Sequence, residues 1–170
     1  MRHSLLRWTF TILTVAVMVM IFLFSSKTVD ESRKESNFIS LRLIRIIVKD
    51  YDELPEQEQA LAMEKLDAVV RKIAHFSEFC LLAFLLRLSL EYWFGFSGKP
   101  RNANKLSLQA LLGGFIYACS DEFHQIFVPG RGSSISDILI DTAGVILGIL
   151  LALLIIRRIR RHTATEMSQC

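Results

Sequence analysis

The segment Ile138-Leu-Ile-Asp-Thr-Ala-Gly-Val-Ile-Leu-Gly-Ile-Leu-Leu-Ala-Leu-Leu-Ile-Ile156 decides the fold of this chain. It holds a single charged residue, Asp141, and its length approaches the ~20 apolar residues that cross the hydrocarbon core of a bilayer. Gly144 and Gly148 lie one turn apart on one stripe of the helix, a spacing that permits close helix packing in a membrane. The segment therefore predicts a transmembrane helix.

Three more apolar runs, near residues 8–24, 79–94 and 106–119, accompany this segment. Hydrophobic residues make up 52% of the 170 residues and the mean hydropathy is +0.38. A soluble domain of this size rarely has that composition, because its surface would be largely apolar. We therefore expect an all-α polytopic membrane protein, a four-transmembrane-helix bundle that forms a single domain over residues 1–170, with spans near residues 6–24, 74–94, 106–126 and 138–156.

The first apolar run also has features of a signal peptide, since Arg2 and Arg7 precede it. Its length of about 17 residues exceeds the usual signal core, and no small-residue cleavage site follows it. An uncleaved first span is the favoured interpretation.

Basic residues near the ends of the spans predict the orientation. Lys and Arg flanking short loops are retained in the cytoplasm, and four spans put three basic clusters on one side of the membrane. Both termini are then cytoplasmic, and the long segment 25–73 faces outwards. The three clusters are Arg2 and Arg7; Lys99, Arg101 and Lys105; and Arg157, Arg158, Arg160 and Arg161.

The outer segment is expected to be helical. Residues 38–49 place Arg42, Arg45 and Lys49 on one stripe among aliphatic residues, which suits an amphipathic helix at the membrane interface. A fifth span is the alternative, but the stretch is too short and too charged for one. Pro55 then indicates the start of a second helix, which continues through Arg71 into the second span.

Polar residues cluster at the outer ends of the last three predicted spans. Charged groups in or near hydrocarbon cost several kcal/mol each, so such a cluster is a candidate functional site. Residues three or four apart share a helix face, so the polar groups on each helix point the same way, into the bundle. The candidate residues are Lys72, His75 and Glu78; Asp121, Glu122, His124 and Gln125; and Arg131, Asp137 and Asp141.

Structural roles compete with the functional one for several of these residues. Asp137 and Glu78 near helix starts are ordinary capping and dipole positions, and Lys72 is a typical head-group anchor. Asp121 and Glu122 differ, because carboxylates near a helix C-terminus oppose both the helix dipole and burial. They require partners, for which the candidates are His75, Lys72, His124 and Arg131.

These motifs resemble those of the VanZ-like family of bacterial integral membrane proteins. The resemblance rests on Ile21-Phe-Leu-Phe-Ser-Ser26, on Arg71-Lys-Ile-Ala-His-Phe-Ser-Glu-Phe79, and on Asp121-Glu-Phe-His-Gln-Ile-Phe-Val-Pro-Gly-Arg131 followed by Asp137 and Asp141. It implies a multi-pass protein of the bacterial cytoplasmic membrane with a link to teicoplanin-type glycopeptide resistance. It implies a location for the site but no reaction. Where many relatives carry Asn near position 141, this chain has Asp.

Three functions remain open. The outer cluster binds a polar lipid head group, a wall precursor or a lipidated glycopeptide, with Arg131 and Lys72 as anion-binding groups. Alternatively, the protein is a membrane-embedded enzyme that uses a divalent metal or acid and base groups on a lipid-linked substrate. In the third hypothesis a ligand-free ion-pair network only fixes helix register. No nucleic-acid partner is expected. The metal candidates are His75, Glu78, Asp121 and His124.

Overall fold

The computed structural model describes residues 2–96 and 102–168. Within these ranges the side chains of residues 2, 3, 33, 35–39 and 162–168 are not described. Lys99 and Arg101, which the sequence places in the loop before the third span, lie outside the described residues, as does the side chain of Arg2.

The described part of the chain is helical and contains no strand, which confirms the all-α prediction. A 3-10 turn at Tyr51–Glu53 precedes the third helix, and a π-helical turn at Glu91–Gly95 extends its end. The five helices are α1 (Arg2–Ser25), α2 (Val29–Ile47), α3 (Glu56–Leu90), α4 (Ala103–Gln125) and α5 (Ile135–Ser168).

Three segments within the described ranges are long and apolar enough to cross a membrane. They are Ser4–Ser25, Glu56–Gly95 and Ile135–Arg161. Helix α4 coincides with the predicted third span but is not among them, because Lys105, Asp121 and Glu122 make it more polar. The composition of the helices thus supports three spans, and the fourth stays a prediction.

Helices α3 and α5 form the central pair of the bundle. A β-carbon on Gly144 would overlap the carbonyl oxygen of Phe76, and one on Gly148 would overlap that of Cys80. The two backbones therefore touch, as the spacing of the glycines predicts. Helix α1 packs on α3, and α4 packs on α5, where Gly114 accommodates Val145.

The outer faces of the bundle remain apolar. On α5 the exposed side chains include Ile146, Leu150 and Leu154, which recur every fourth residue and so form one stripe. Their buried counterparts are Val145 and Ile149. An exposed apolar surface of this extent is typical of a protein that contacts lipid.

Helix α2 lies along the N-terminal half of α3. Thr28 and Glu31 form a capping box that starts α2 earlier than the predicted residue 38, and the helix ends at Ile47, before the predicted residue 49. Ser40 donates a hydrogen bond of 2.8 Å to Asp67 on α3. Helix α3 begins directly after Pro55, which confirms that part of the prediction.

Helix α3 is longer than one membrane crossing. Its 35 residues give a length of ~52 Å at 1.5 Å per residue, whereas the hydrocarbon core is ~30 Å thick. Its N-terminal half and α2 therefore extend beyond the bundle at the end that carries the polar cluster.

The opposite end of the bundle joins three basic helix termini. The guanidinium of Arg7 lies 4.8 Å from the ring centroid of Trp93, so the start of α1 meets the end of α3. Arg160 on α5 contacts Glu91, and Arg87 donates to Glu91 at 2.8 Å. Arg87 and Glu91 were not among the predicted site residues, although their spacing of four residues inside an apolar run was the available signal.

Candidate functional site

Three helices each contribute one buried or half-buried ligand-type side chain to a common point. His75 comes from α3, Asp121 from α4 and Asp141 from α5, and one donor atom of each lies within 4.8 Å of the others. Asp121 is 4% exposed and Asp141 is 1% exposed, so both carboxylates are removed from bulk water. The close α3–α5 contact at Gly144 brings His75 and Asp141 together, because Asp141 lies one turn before Gly144 and His75 directly precedes Phe76, whose carbonyl meets that glycine.

Neutral donors hold the carboxylate of Asp121. The hydroxyl of Ser25, at the end of α1, donates to Oδ2 at 2.9 Å, and Nε2 of Gln125 donates to the same oxygen at 2.8 Å. These bonds orient the carboxylate without neutralising its charge. Ser25 was not among the predicted site residues, although it ends the first apolar run, where a small polar residue reaches the membrane edge.

Asp141 contrasts with Asp121, because neither of its carboxylate oxygens has a hydrogen-bond partner among the described residues. Asp121 and Glu122 both repel its negative charge. Nδ1 of His75 is likewise buried and, within the described residues, without a partner. Unpaired buried groups of this kind are costly unless something else compensates them, so this is the part of the cluster that packing alone does not explain.

Glu122 and His124 point to other neighbours. The carboxylate of Glu122 accepts a hydrogen bond of 2.8 Å from the backbone N–H of Ser134, just before α5. The Nε2 atom of His124 lies 3.0 Å from the hydroxyl of Ser26, and its ring packs on Phe22 at a centroid distance of 4.6 Å. Glu122 therefore fixes the α4–α5 turn, and His124 fixes the contact between α4 and α1.

Lys72 and Asp137 form an ion pair at the rim of the cluster. Their charged atoms are 3.0 Å apart, and the side chains are 46% and 34% exposed. Exposed pairs of this kind contribute little to stability. The predicted partnership of Lys72 with Asp121 or Glu122 is therefore replaced by one with Asp137.

Arg131 extends from the turn between α4 and α5 towards α1 and α2. Its Nη2 donates to the hydroxyl of Ser32 at 2.8 Å and to the carbonyl of Phe24 at 3.3 Å, while its Nε is buried and unbonded within the described residues. Gly130 precedes it with a φ of 78°, a left-handed conformation that glycine adopts readily. Burial of its guanidinium lowers the pKa of Arg131, and the neighbouring positive charge of Arg71 lowers it further.

Two cavities flank this arginine. The larger has a volume of about 290 Å³ and the smaller about 150 Å³. Arg71, His75 and Arg131 line both of them. The larger cavity is also lined by Phe24, Lys27, Ser32, Asp67, Val70, Ala74 and Glu78, and the smaller one by Lys72, Glu122, Gln125, Asp137 and Asp141.

The structure thus divides the predicted cluster. His75, Asp121 and Asp141 meet at its centre with Gln125, whereas His124 turns to α1 and Glu78 lines only the larger cavity. Of the four predicted metal candidates, two belong to the central group. Asp141 was predicted as a member of the polar cluster but not as a metal candidate, because its place in the central group depends on how α5 packs against α3.

Comparison with known proteins agrees with the motifs from which the site was predicted. A family model described as VanZ/LLP1 matches residues 10–157. The chain belongs to the VanZ/LLP1 family. All predicted site residues of this VanZ/LLP1 protein fall within the matched range. Searches of curated proteins and of solved structures found no match.

Proposed function

We propose that this VanZ/LLP1 protein crosses the bacterial cytoplasmic membrane four times, as one domain, and binds an anionic head group at its outer face. The ligand is an amphiphile: a polar lipid, a lipid-linked wall precursor or a lipidated glycopeptide. Through this binding the protein contributes to envelope integrity or to resistance against teicoplanin-type glycopeptides.

The basic end of the bundle supports the proposed orientation. Arg7 on α1 and Arg160 on α5 both contact the C-terminal end of α3, so their basic clusters lie at one end of the molecule. Lys and Arg at span ends are retained in the cytoplasm. The polar cluster is at the other end of the bundle and, on this reasoning, faces outwards.

The packing of α4 supports a fourth span despite its lower hydropathy. Its 23 residues give a length of ~34 Å, enough to cross the hydrocarbon core. The buried residues Asp121, Glu122 and Gln125 face protein and not lipid. Polar residues inside a membrane are tolerated in this arrangement.

The larger cavity is the observation that carries the head-group proposal. Its wall carries three basic side chains, Lys27, Arg71 and Arg131, against the two carboxylates of Asp67 and Glu78. Part of the wall is apolar, formed by Phe24, Val70 and Ala74. Arginine binds phosphate and carboxylate groups with paired hydrogen bonds. The nearby positive charge and the burial of Arg131 both favour an added anion. A cationic and apolar lining of this kind fits an amphiphilic ligand at the membrane surface.

Binding is tested by native mass spectrometry of lipids that copurify with the full-length protein in mild detergent. We expect one anionic lipid or lipid-linked precursor per chain, and its loss in Arg131→Gln. The matched control is Arg45→Gln, since Arg45 is an exposed arginine that pairs with Asp52 outside both cavities. Equal lipid retention in all three proteins would refute the proposal.

The same variants separate the possible ligands in cells. A strain lacking the protein is complemented with wild type, Arg131→Gln or Arg45→Gln and is exposed to a lipidated glycopeptide and to a non-lipidated one. If Arg131→Gln fails to restore resistance to the lipidated compound alone, the glycopeptide is indicated as the ligand. If it fails to restore resistance to both compounds, a wall precursor or lipid is indicated.

The orientation is tested by reporter fusions at residue 60 and at the C-terminus, which should report opposite sides of the membrane. Reports from the same side would refute the orientation.

A further inference from the structure

The central group of the outer cluster has the composition of a metal site. It combines one imidazole nitrogen, from His75, with two carboxylates, from Asp121 and Asp141. Ligand atoms bound at about 2.0–2.2 Å to one tetrahedral Zn²⁺ lie about 3.3–3.6 Å apart. The observed spread is at most 4.8 Å, so binding requires the side chains to close in on the ion by roughly 1 Å.

An independent observation points to a bound cation. Asp141 is 1% exposed, comes from a different helix than the other two ligands, and has no hydrogen-bond partner for either carboxylate oxygen among the described residues. Nδ1 of His75 is buried and also lacks a partner there. A structural ion-pair network would instead leave these atoms paired, because a buried unpaired carboxylate is strongly destabilising.

The surroundings of Asp121 resemble the outer shell of a metal site. Ser25 and Gln125 donate to a single oxygen of this carboxylate, Oδ2. Hydrogen bonds of this kind orient ligating carboxylates in metalloproteins. The two donors are neutral, so they do not supply a positive charge to balance the carboxylate of Asp121.

We propose that His75, Asp121 and Asp141 bind a divalent transition-metal ion of the Zn²⁺ type. The mixed nitrogen and oxygen donors favour such an ion over Mg²⁺ or Ca²⁺, which prefer oxygen ligands. Three protein ligands leave at least one position of a four-coordinate ion free. His75 and Asp141 also line the smaller cavity, through which water or an oxygen of a ligand reaches the ion.

The site is tested by calorimetric titration of the full-length protein in detergent after treatment with a chelator. We expect wild type to bind one Zn²⁺ per chain and Mg²⁺ far more weakly, and Asp141→Asn to weaken Zn²⁺ binding at least about tenfold. The matched control is Asp52→Asn, which removes the same charge from an exposed position far along the chain and should bind Zn²⁺ as wild type does.

Thermal unfolding distinguishes a lost ligand from a damaged fold. Zn²⁺ should raise the unfolding temperature of wild type but not of Asp141→Asn. Without metal, Asp141→Asn should be at least as stable as wild type, because asparagine removes the repulsion from Asp121 and Glu122. If this variant cannot be purified, Asp121→Asn and His75→Gln provide the same comparison.

Two results would overturn the proposal. One is a wild-type protein that binds no Zn²⁺; a higher stability of Asp141→Asn in that case would mean that the carboxyl group of Asp141 is protonated instead of metal-bound. The other is equal Zn²⁺ affinity in wild type and in the ligand variants. Because the titration contains no lipid or glycopeptide, its failure would leave the head-group proposal intact.

Discussion

Replacement of Glu91 by Gln should destabilise the protein from the end opposite to the candidate site. Glu91 and Arg87 are both fully buried, and Arg87 donates to Glu91 at 2.8 Å and to the hydroxyl of Ser107 at 3.1 Å. Arg160 contacts the second oxygen of Glu91, but its side chain is 43% exposed. The substitution preserves the shape of the side chain and removes only its charge.

The burial of each partner sets the expected magnitude. Loss of Glu91 leaves Arg87 as a buried charge without a counterion, which costs about 3–5 kcal/mol. Arg160 can turn towards water, so its part of the interaction is limited to about 0–1 kcal/mol. Glu91→Gln should therefore lower the free energy of unfolding by about 3–5 kcal/mol, and Arg160→Gln by less than about 1 kcal/mol.

The assay is thermal unfolding of each variant in one detergent. For a chain of this length about 1 kcal/mol corresponds to roughly 2–4 °C, so Glu91→Gln should lower the midpoint by about 6–20 °C. Asp52→Asn is the control, because it removes a carboxylate that is 66% exposed from a surface pair with Arg45. Equal losses of unfolding free energy in Glu91→Gln and Arg160→Gln would refute the stated difference in burial between Arg87 and Arg160. A loss of under about 1 kcal/mol in Glu91→Gln would refute the buried pair of Arg87 and Glu91.

Two further predictions concern the α3–α5 contact and the start of α2. Gly148→Ala should cost about 1–3 kcal/mol in thermal unfolding, because the new β-carbon would lie 2.9 Å from the backbone nitrogen of Phe84. Gly132→Ala, with no atom within 4 Å, should change stability by less than about 0.5 kcal/mol, and equal losses would contradict the close contact. The carboxylate of Glu31 accepts hydrogen bonds from the backbone N–H and from the hydroxyl of Thr28, and these bonds, the first more than the second, lower the pKa of Glu31. They therefore stabilise the folded protein above the ordinary pKa of 4.5, and this stabilisation is lost as the pH falls through the lowered pKa. The gap in unfolding temperature between wild type and Glu31→Gln should therefore narrow between about pH 7 and about pH 3, and a constant gap would argue against the capping box.

Hydropathy and helical spacing predicted most of the framework. Apolar runs located α1, α4 and α5, since burial in lipid or protein is the dominant requirement on such segments. The spacing of Gly144 and Gly148 predicted the close contact of α5 with a neighbouring helix, because only a small residue permits it. These features depend on local composition and are therefore readable from one sequence.

The pairing of charged residues was less predictable. Asp121 was expected to have a cationic or histidine partner, yet its hydrogen bonds come from Ser25 and Gln125. Lys72 was expected near Asp121 or Glu122 and pairs with Asp137. Such partners depend on the rotation and depth of each helix in the bundle, which periodicity constrains to a face but not to a single residue.

The count of spans was ambiguous for a related reason. Hydropathy measures how apolar a segment is on all sides, whereas a helix buried on its polar face needs apolar residues only where it meets lipid. Helix α4 carries Asp121, Glu122 and Gln125 among its buried residues and exposes Leu112, Ile116 and Phe123. Its low mean hydropathy therefore does not argue against a membrane crossing.

The partners of two buried carboxylates distinguish the roles of the two polar ends. Glu91 and Asp141 are each almost fully buried, but both oxygens of Glu91 have guanidinium partners, whereas neither oxygen of Asp141 has a partner in the described chain. His75 and Glu91 are 16 positions apart on the same helix, about 24 Å along its axis, which is close to the thickness of the hydrocarbon core. The distance between the two ends is therefore close to the length of one membrane crossing by α3. Removal of the charge of Glu91 should destabilise the protein, because this charge has a buried guanidinium partner on which folding depends. Removal of the charge of Asp141 should not destabilise the metal-free protein, because only a bound cation would compensate that charge.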